Sequence, residues 1–245
     1  MRLALYGVLL TIITFSQAYG IVIRNDVSDE KYQEFGEQYT SSVAFFAGCV
    51  STLIDPNWLL TAAHCVTEGR SDLDIARHLD AEYPVEKIYR HPSKDIALVQ
   101  LSKPITNGKP VKLYTNTDEA GKTVVFVGNG SFGNGRDGVT VKDGKIRGAK
   151  NTIIETRPNN LVFLFDAPDT ALSLEGISGP GDSGGPAFLE IENTLYVAGV
   201  SSAQDTMGLK EGQYGVKEYY SRVSTHYSWI MEIIDSAKAK ASPKQ

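Results

Sequence analysis

Apolar residues recur in short runs or at every second position along most of the chain, and turn-forming residues separate the runs. A strand with one face on a core shows this repeat of two, and glycine, proline, asparagine and aspartate mark the turns. The pattern predicts strands at residues 43–47, 50–54, 58–61, 85–89, 96–101, 123–127, 139–141, 152–155, 161–165, 187–191, 195–200 and 219–223. Many short strands with regular turns predict an all-β barrel or sandwich.

The first 20 residues differ from the rest of the chain. Arg2 gives a positive start, an uncharged apolar run follows, and the segment ends in small and polar residues. This is the layout of a secretory signal peptide, and the apolar run is shorter than the roughly 20 residues that a membrane span needs. We therefore expect residues 1–20 to be a signal peptide. The mature protein would be secreted, extracellular or (in a bacterium) periplasmic, with no membrane attachment.

The other end of the chain predicts a helix. Ser224 is a candidate N-cap, and the apolar residues that follow it recur at helical spacing, namely Trp229, Ile230, Ile233 and Ile234. We expect one amphipathic helix over residues 224–238. Residues 239–245 form a polar tail, which we expect to fray.

Composition narrows the class of protein. The chain has 245 residues, 42% of them hydrophobic, and a formal net charge of −5. It is long enough for one large domain or two small ones, and its acidic balance argues against nucleic acid as a partner. The 2 cysteines, Cys49 and Cys65, are too few for a zinc cluster or a disulfide-dense scaffold. In an oxidising compartment they can form a disulfide; the alternative is two free buried thiols.

Three short segments contain residues with catalytic potential. His64 follows a predicted strand, among small residues. Asp95 opens an apolar strand, where a buried carboxylate would need a hydrogen-bond donor. Ser183 lies in a run of glycines and prolines at residues 179–186, whose backbone can form a tight turn with free N–H groups. Acyl transfer needs a hydroxyl nucleophile, an imidazole base and a carboxylate that orients the imidazole, so these three are our candidate catalytic residues.

The same segments resemble those of trypsin- and chymotrypsin-like serine peptidases. The matching motifs are Thr-Ala-Ala-His-Cys at residues 61–65, Asp-Ile-Ala-Leu at 95–98 and Gly-Asp-Ser-Gly-Gly-Pro at 181–186, in that family's order. The resemblance runs from Ile21 to about Ile234. It implies two six-stranded antiparallel β-barrels, over residues 21–110 and 111–223, with the active site between them and a closing C-terminal helix. We expect a monomeric endopeptidase that acts on proteins or peptides, with no cofactor or metal.

Further roles follow from the resemblance at matching positions. The backbone N–H groups of Gly181 and Ser183 would form the oxyanion hole. Cys49 and Cys65 would form the disulfide that braces the histidine loop.

The resemblance also implies an ion pair that forms on maturation. Asp182 would pair with the new amine of Ile21, and both partners are needed because a lone buried charge is costly. Related precursors have arginine or lysine before this position, whereas residue 20 here is glycine. We hypothesise that signal peptidase exposes Ile21 directly, or that a dipeptidase removes Tyr19 and Gly20 afterwards.

The sequence indicates an unusual specificity pocket. Ile177 corresponds to the pocket base, where a trypsin-like enzyme has an aspartate that selects arginine or lysine. Ser202 matches the segment that binds the substrate backbone, and Gln204 replaces a usual glycine. Glu218 either enters the pocket from the opposite wall, making its floor acidic, or faces solvent; the sequence leaves both open. We expect non-tryptic or unusual selection of the residue before the cleaved bond.

Three other interpretations have less support. The glycines around Ser183 also fit the nucleophile elbow of α/β-hydrolases, but that elbow leads into a helix and a predicted strand follows here. The glycines of residues 128–133 fit a dinucleotide fingerprint, but no helix is predicted after them. A non-catalytic homologue that binds or inhibits a partner is the alternative of a different class. Such proteins normally lack a member of the triad, and all three are present.

Overall fold

The computed structural model describes residues 20–241. The predicted signal peptide, apart from Gly20, lies outside the described residues, as do residues 242–245 of the predicted tail. Within this range, no helix combines the length and the apolar character needed to cross a bilayer.

The first half of the described chain is built from strands, with one helix near its start. Its elements are β1 (Val22–Ile23), α1 (Asp29–Glu37), β2 (Val43–Phe46), β3 (Cys49–Asp55), β4 (Trp58–Thr61), β5 (Ile75–His78), β6 (Ala81–Arg90) and β7 (Ala97–Leu101). Strands β2 to β7 close into an antiparallel barrel in the order β2-β3-β4-β7-β6-β5. Leu53, Leu59 and Val99 are completely buried in its core.

The second half forms a curled sheet and ends in a helix. Its elements are β8 (Lys112–Leu113), β9 (Thr123–Gly128), β10 (Phe132–Asn134), β11 (Gly138–Val141), β12 (Arg147–Thr152), β13 (Glu155–Thr156), β14 (Asn160–Leu164), β15 (Gly176–Ile177), β16 (Pro186–Ile191), β17 (Thr194–Asp205), β18 (Lys217–Arg222) and α2 (Val223–Ala241). The main path of the sheet is β12-β9-β16-β17-β18-β14-β13, and β8 pairs with β17 beside it. The predicted all-β class, with two β units and a C-terminal helix, is confirmed, although this path has seven strands instead of six.

The first strand belongs in space to the second half. β1 pairs in parallel with β10 and antiparallel with β15, in a four-stranded sheet that β11 completes. Val22 lies opposite both Gly133 and Ile177. The predicted N-terminal unit of residues 21–110 thus includes β1 and α1, which contact strands of the second half.

Helix α1 is anchored to β12 through a buried arginine. The Arg147 side chain has no exposed surface and donates to Asp29 of α1 over 2.7 Å and to Asp143 over 2.6 Å. Gly36 of α1 lies so close to the backbone of Gly148 that a Cβ would overlap it. These contacts tie the N-terminal segment to the second sheet.

Helix α2 contacts both halves of the molecule. Ile230 and Ile234 are buried in the same core as that barrel, and the Nζ of Lys238 donates to Asp55 over 2.9 Å. The helix is longer than the predicted 224–238. It starts one residue earlier and takes in residues 239–241 of the predicted tail.

Candidate active site

A short helical turn holds His64 at the edge of the first barrel. β4 ends at Thr61, and Ala63–Val66 form one turn of 3-10 helix. The disulfide between Cys49 and Cys65, which the family resemblance implies, joins this turn to the start of β3. The backbone of His64 is therefore braced, while its side chain remains 43% exposed.

Asp95 lies before β7 and faces His64. His64 donates to this carboxylate twice, from its backbone N–H over 2.9 Å and from Nδ1–H over 2.8 Å. The hydroxyl of Ser202 donates to it over 2.6 Å. Burial alone would raise the pKa of Asp95, but these donors outweigh burial and hold the pKa below its usual value. An ionised Asp95 keeps the proton of neutral His64 on Nδ1, which leaves a lone pair on Nε2.

Two glycines shape the turn that contains Ser183. Gly181 has a φ of +98° and Gly184 a φ of +77°, in the left-handed region that favours glycine. A Cβ on Gly184 would overlap Thr61 Oγ1 and the carbonyl oxygen of Val50. The N–H of Val50 also donates to the carbonyl oxygen of Ser183 over 2.9 Å. The turn thus packs directly on the strands that hold His64.

The backbone N–H groups of Gly181 and Ser183 are free to bind a ligand. Across residues 20–241, neither group donates to a protein acceptor. The intervening N–H of Asp182 donates to the carbonyl oxygen of Gly179 over 2.9 Å, which keeps the turn closed. Two free donors in one tight turn can stabilise a developing oxyanion.

The contact between Ser183 and His64 is incomplete. Ser183 Oγ has no hydrogen-bond partner within the described chain, and His64 Nε2 lies 3.8 Å from the Sγ of Cys65. Catalytic hydrogen bonds are often long or poorly aligned before a substrate binds. The structure thus joins His64 to Asp95 and puts Ser183 on the adjoining turn, with the last link unmade.

Asp182 is fully buried and accepts three backbone N–H groups. Ile21 and Gly179 each donate over 2.8 Å, and Gly130 donates to the other carboxylate oxygen. Burial raises the pKa of Asp182 to about 6, although the N–H donors oppose it. The donor at residue 21 is a peptide N–H, because Gly20 precedes it. Ile21 has a φ of +41°, which is strained for a β-branched residue.

A small polar cavity of about 120 Å³ opens beside Ser183, and its walls include Ser178, Gln204 and Glu218. Glu218 is buried there and accepts the N–H of Ser178 over 3.1 Å. Burial raises the pKa of Glu218 to about 8. Gln204 Nε2 donates to the carbonyl oxygen of Ser178, so its side chain joins two walls of the cavity.

The structure corrects one pocket residue. Ile177 packs with Val22, Phe165 and Val216 in a separate apolar cluster and is absent from the cavity wall. Successive residues of an extended strand point to opposite faces, so Ser178 faces the cavity and Ile177 does not. Ser202 lines the cavity, and its hydroxyl also reaches Asp95.

Two polar side chains of β18 also lie at the site, although no sequence pattern predicts either of them. The hydroxyl of Ser221 donates to the backbone carbonyl of Asp95 over 2.7 Å. The hydroxyl of Tyr220 lies 2.6 Å from that of Ser178. No local motif marks either residue, because only the register of β18 against β17 brings them here.

The competing motifs lack the helices that they need. Strand β16 follows the Ser183 turn, and residues 128–133 lead from β9 into β10. Among the described residues, one cluster of three possible metal-ligating side chains occurs, formed by Cys49, His64 and Cys65. Both of its sulfur atoms are in the disulfide, so neither is a thiolate that could bind a metal.

Comparison with known proteins identifies the family. A family model described as Trypsin matches residues 26–230, and the chain belongs to this family. Vitamin K-dependent protein C of Mus musculus is 28% identical over 225 residues, which cover 76% of this chain and 46% of that protein. Chymotrypsin-like elastase family member 1 of Rattus norvegicus is 26% identical over 227 residues, covering 80% of this chain and 82% of the relative. The Felis catus form is 26% identical over 226 residues, with coverage of 81% and 83%.

The chain spans less than half the length of the protein C relative but most of the length of the two elastases. Membership of this family indicates a hydrolase with peptide or protein substrates.

Proposed function

We propose that the mature protein is a secreted serine endopeptidase that hydrolyses peptide bonds through an acyl-enzyme. The observation that carries this proposal is the double hydrogen bond from His64 to Asp95, next to a turn where Ser183 is flanked by two free N–H groups. Membership of the trypsin family supports it.

The chemistry proceeds in two halves. His64 Nε2 takes the proton of Ser183 Oγ as that oxygen attacks the substrate carbonyl carbon, and Asp95 stabilises the resulting imidazolium. The N–H groups of Gly181 and Ser183 bind the oxyanion. His64 then gives its proton to the leaving amine, which leaves an ester on Ser183. Water, deprotonated by His64, attacks that ester, releases the new carboxylate and restores the Ser183 hydroxyl.

The first step requires a local movement. Ser183 Oγ must approach His64 Nε2, and a substrate that fills the cleft and excludes water favours this contact. We expect side-chain rotations to make this contact, because the backbones on both sides are held by the disulfide and by the Val50–Ser183 hydrogen bond.

Maturation would give the Asp182 carboxylate a cationic partner. A cut after Gly20 turns the N–H of Ile21 into an ammonium group close to the Asp182 carboxylate, which would lower the pKa of Asp182. The cut also removes the strain at Ile21, since φ is no longer defined by a preceding residue. Signal peptidase, alone or with a dipeptidase, would expose Ile21. N-terminal sequencing of the secreted protein should begin at Ile21, and a start well beyond it would contradict this route.

The cavity beside Ser183 would select the residue before the cleaved bond. Glu218 keeps its proton below about pH 8, so at neutral pH it offers no fixed charge to arginine or lysine. The side chain of Gln204 narrows the cavity by donating a hydrogen bond to the carbonyl oxygen of Ser178. We therefore propose non-tryptic selection of small side chains at neutral pH. A peptide-library cleavage profile tests this, and strict cleavage after arginine or lysine would contradict it.

The activity itself is tested by hydrolysis of quenched peptides by a chain that begins at Ile21. Ser183→Ala and His64→Ala should each lower kcat by roughly 10⁴-fold or more, because members of a triad act as a unit. Ser71→Ala, at an exposed serine, is the matched control and should leave kcat unchanged. Wild-type protein that folds but hydrolyses no peptide would favour the non-catalytic binding homologue.

A further inference from the structure

The loop that leads to Asp95 is organised around an imidazole ring. His91 follows β6, and its Nδ1 accepts the N–H of Ser93 over 3.2 Å and the N–H of Lys94 over 3.1 Å. The backbone N–H of His91 donates to the carbonyl oxygen of Ile96 over 3.0 Å, which closes the loop. One side chain thus satisfies two backbone donors directly before Asp95.

These contacts determine where the ring proton sits. Both partners of Nδ1 are N–H donors, so Nδ1 must offer a lone pair and the proton of neutral His91 must be on Nε2. Protonation would put an N–H on Nδ1, facing the N–H groups of Ser93 and Lys94. Both hydrogen bonds would then be lost.

Helix α2 packs against the same ring and favours its neutral form. The ring of His91 lies edge-on to those of Trp229 and His226, with centroid distances of 5.0 and 5.3 Å. Burial lowers the pKa of His91, and its neighbours His226 and Lys94 lower it further. His226 itself is buried and its Nδ1–H donates to the carbonyl oxygen of Arg222 over 2.7 Å.

Other contacts of Asp95 do not replace this support. Ser202 holds the Asp95 carboxylate and Ser221 holds its carbonyl oxygen, but neither binds the two residues before it. The N–H of Ile96 donates to the carbonyl oxygen of Lys94 over 2.9 Å within the loop, but the N–H groups of the two residues that enter Asp95 are held by His91.

We propose that His91 is a positioning residue for Asp95: its neutral ring holds the loop in the shape that presents the carboxylate to His64. His91 touches neither the substrate nor the reacting atoms. The kinetic consequences rest on the proposed peptidase activity, whereas the effect on the loop does not.

Two variants separate the role of His91 Nδ1 as a hydrogen-bond acceptor from the packing of the ring. In His91→Asn, the side-chain oxygen can accept near the position of Nδ1 and does not titrate. In His91→Phe, the ring contacts with Trp229 and His226 are kept but the acceptor is lost. Because a misplacement of about 1 Å can cost about 100-fold in rate, His91→Phe should lower kcat roughly 10- to 100-fold, with KM within about twofold. His91→Asn should stay within about threefold of wild type.

The pH profile adds a readout that simple packing would not change. As the pH falls through the lowered pKa of His91, the kcat of wild type should decrease more than that of His91→Asn. The difference between the two decreases is the effect of His91, since any decrease common to both proteins has another cause. The proposal is overturned if His91→Phe is as active as wild type, or if both variants lose the same activity.

A second measurement does not depend on catalysis. Nitrogen chemical shifts of the His91 ring should place its proton on Nε2, and the amides of Ser93 and Lys94 should exchange at least about tenfold faster in His91→Phe than in wild type or His91→Asn. A proton on Nδ1, or unchanged exchange in His91→Phe, would overturn the proposal. If these results hold while wild type hydrolyses no peptide, the proposed function fails and the role of His91 in the loop stands.

Discussion

The carboxyl groups of the site differ in charge because they differ in burial and in hydrogen-bond donors. Asp95 receives two hydrogen bonds from His64 and one from a serine hydroxyl, and its pKa is lowered. Asp182 receives only peptide N–H groups in deeper burial, and its pKa rises to about 6. Glu218, with the N–H of Ser178 as its donor, has a pKa of about 8. At neutral pH Asp95, the proposed orienting carboxylate, is thus ionised, while Glu218 in the cavity wall is neutral.

The raised pKa of Glu218 predicts a pH-dependent stability. In the unfolded chain this carboxyl ionises near its ordinary value of 4.5, whereas the folded protein keeps the proton until about pH 8. The unfolded state therefore loses its proton first, and Glu218 lowers the free energy of unfolding as the pH rises through this window. At about 1.4 kcal/mol per pKa unit, this decrease in the free energy of unfolding is on the order of a few kcal/mol, and Glu218→Gln should abolish it.

Urea unfolding at about pH 5 and about pH 8 measures this effect. The stability of Glu218→Gln relative to wild type should be greater at the higher pH. Glu190→Gln, at an exposed glutamate of β16, is the control and should show no such change. An equal effect of Glu218→Gln at both pH values would contradict the assignment.

At the scale of elements, turns and strand registers decide which residues meet. The Ser183 turn could be predicted from the sequence, because its glycines and prolines lie close together at residues 179–186 and favour a turn without help from distant residues. Helix α1 could not, because it buries only Tyr32 and Gly36, too few for an apolar stripe. The contact between Glu218 and Ser178 joins residues 40 positions apart, which no local pattern shows. Ile177 lies on the apolar face of its strand and not in the cavity wall, and a shift of one residue is enough to exchange the two faces of a strand.

The Ser183 turn packs so closely on the first barrel that a methyl group added at Gly184 should lower the stability of the protein. Gly184→Ala combines a positive φ with overlap of Val50 and Thr61. Gly208→Ala is the matched control, because its φ is +86° but its Cβ would meet nothing within 4 Å. The control should lose about 1–2 kcal/mol, and Gly184→Ala should lose a further 1–3 kcal/mol or so and also lose activity. Equal losses in urea unfolding would contradict the close packing.

At the scale of the whole molecule, the N-terminal segment connects Ile21, the proposed first residue of the mature protein, to the candidate site. β1 lies in a sheet of the second half, α1 is anchored on β12 by Arg147, and Ile21 reaches Asp182. Asp182 lies between the two residues whose N–H groups are free, Gly181 and Ser183. A change at residue 21 can therefore reach the proposed oxyanion hole through one side chain.

This connection predicts that a single extra residue lowers activity. A chain that begins at Gly20 should have a kcat/KM lower by on the order of tenfold or more than a chain that begins at Ile21, since Asp182 then lacks its buried cationic partner. A chain with valine as its first residue, in place of Ile21, keeps the amine and is the control. Equal activity of the Gly20 and Ile21 forms would show that the peptide N–H is sufficient.

The central claim is that Ser183 is a nucleophile activated by His64 and Asp95. Labelling of the folded mature protein with a fluorophosphonate tests it most directly, because the reagent reacts with an activated serine hydroxyl. We predict one phosphonyl adduct that maps to Ser183 by mass spectrometry, is absent in Ser183→Ala and forms much more slowly in Asp95→Asn. Folded wild-type protein without an adduct, or labelling that is unchanged in Ser183→Ala, would contradict the account.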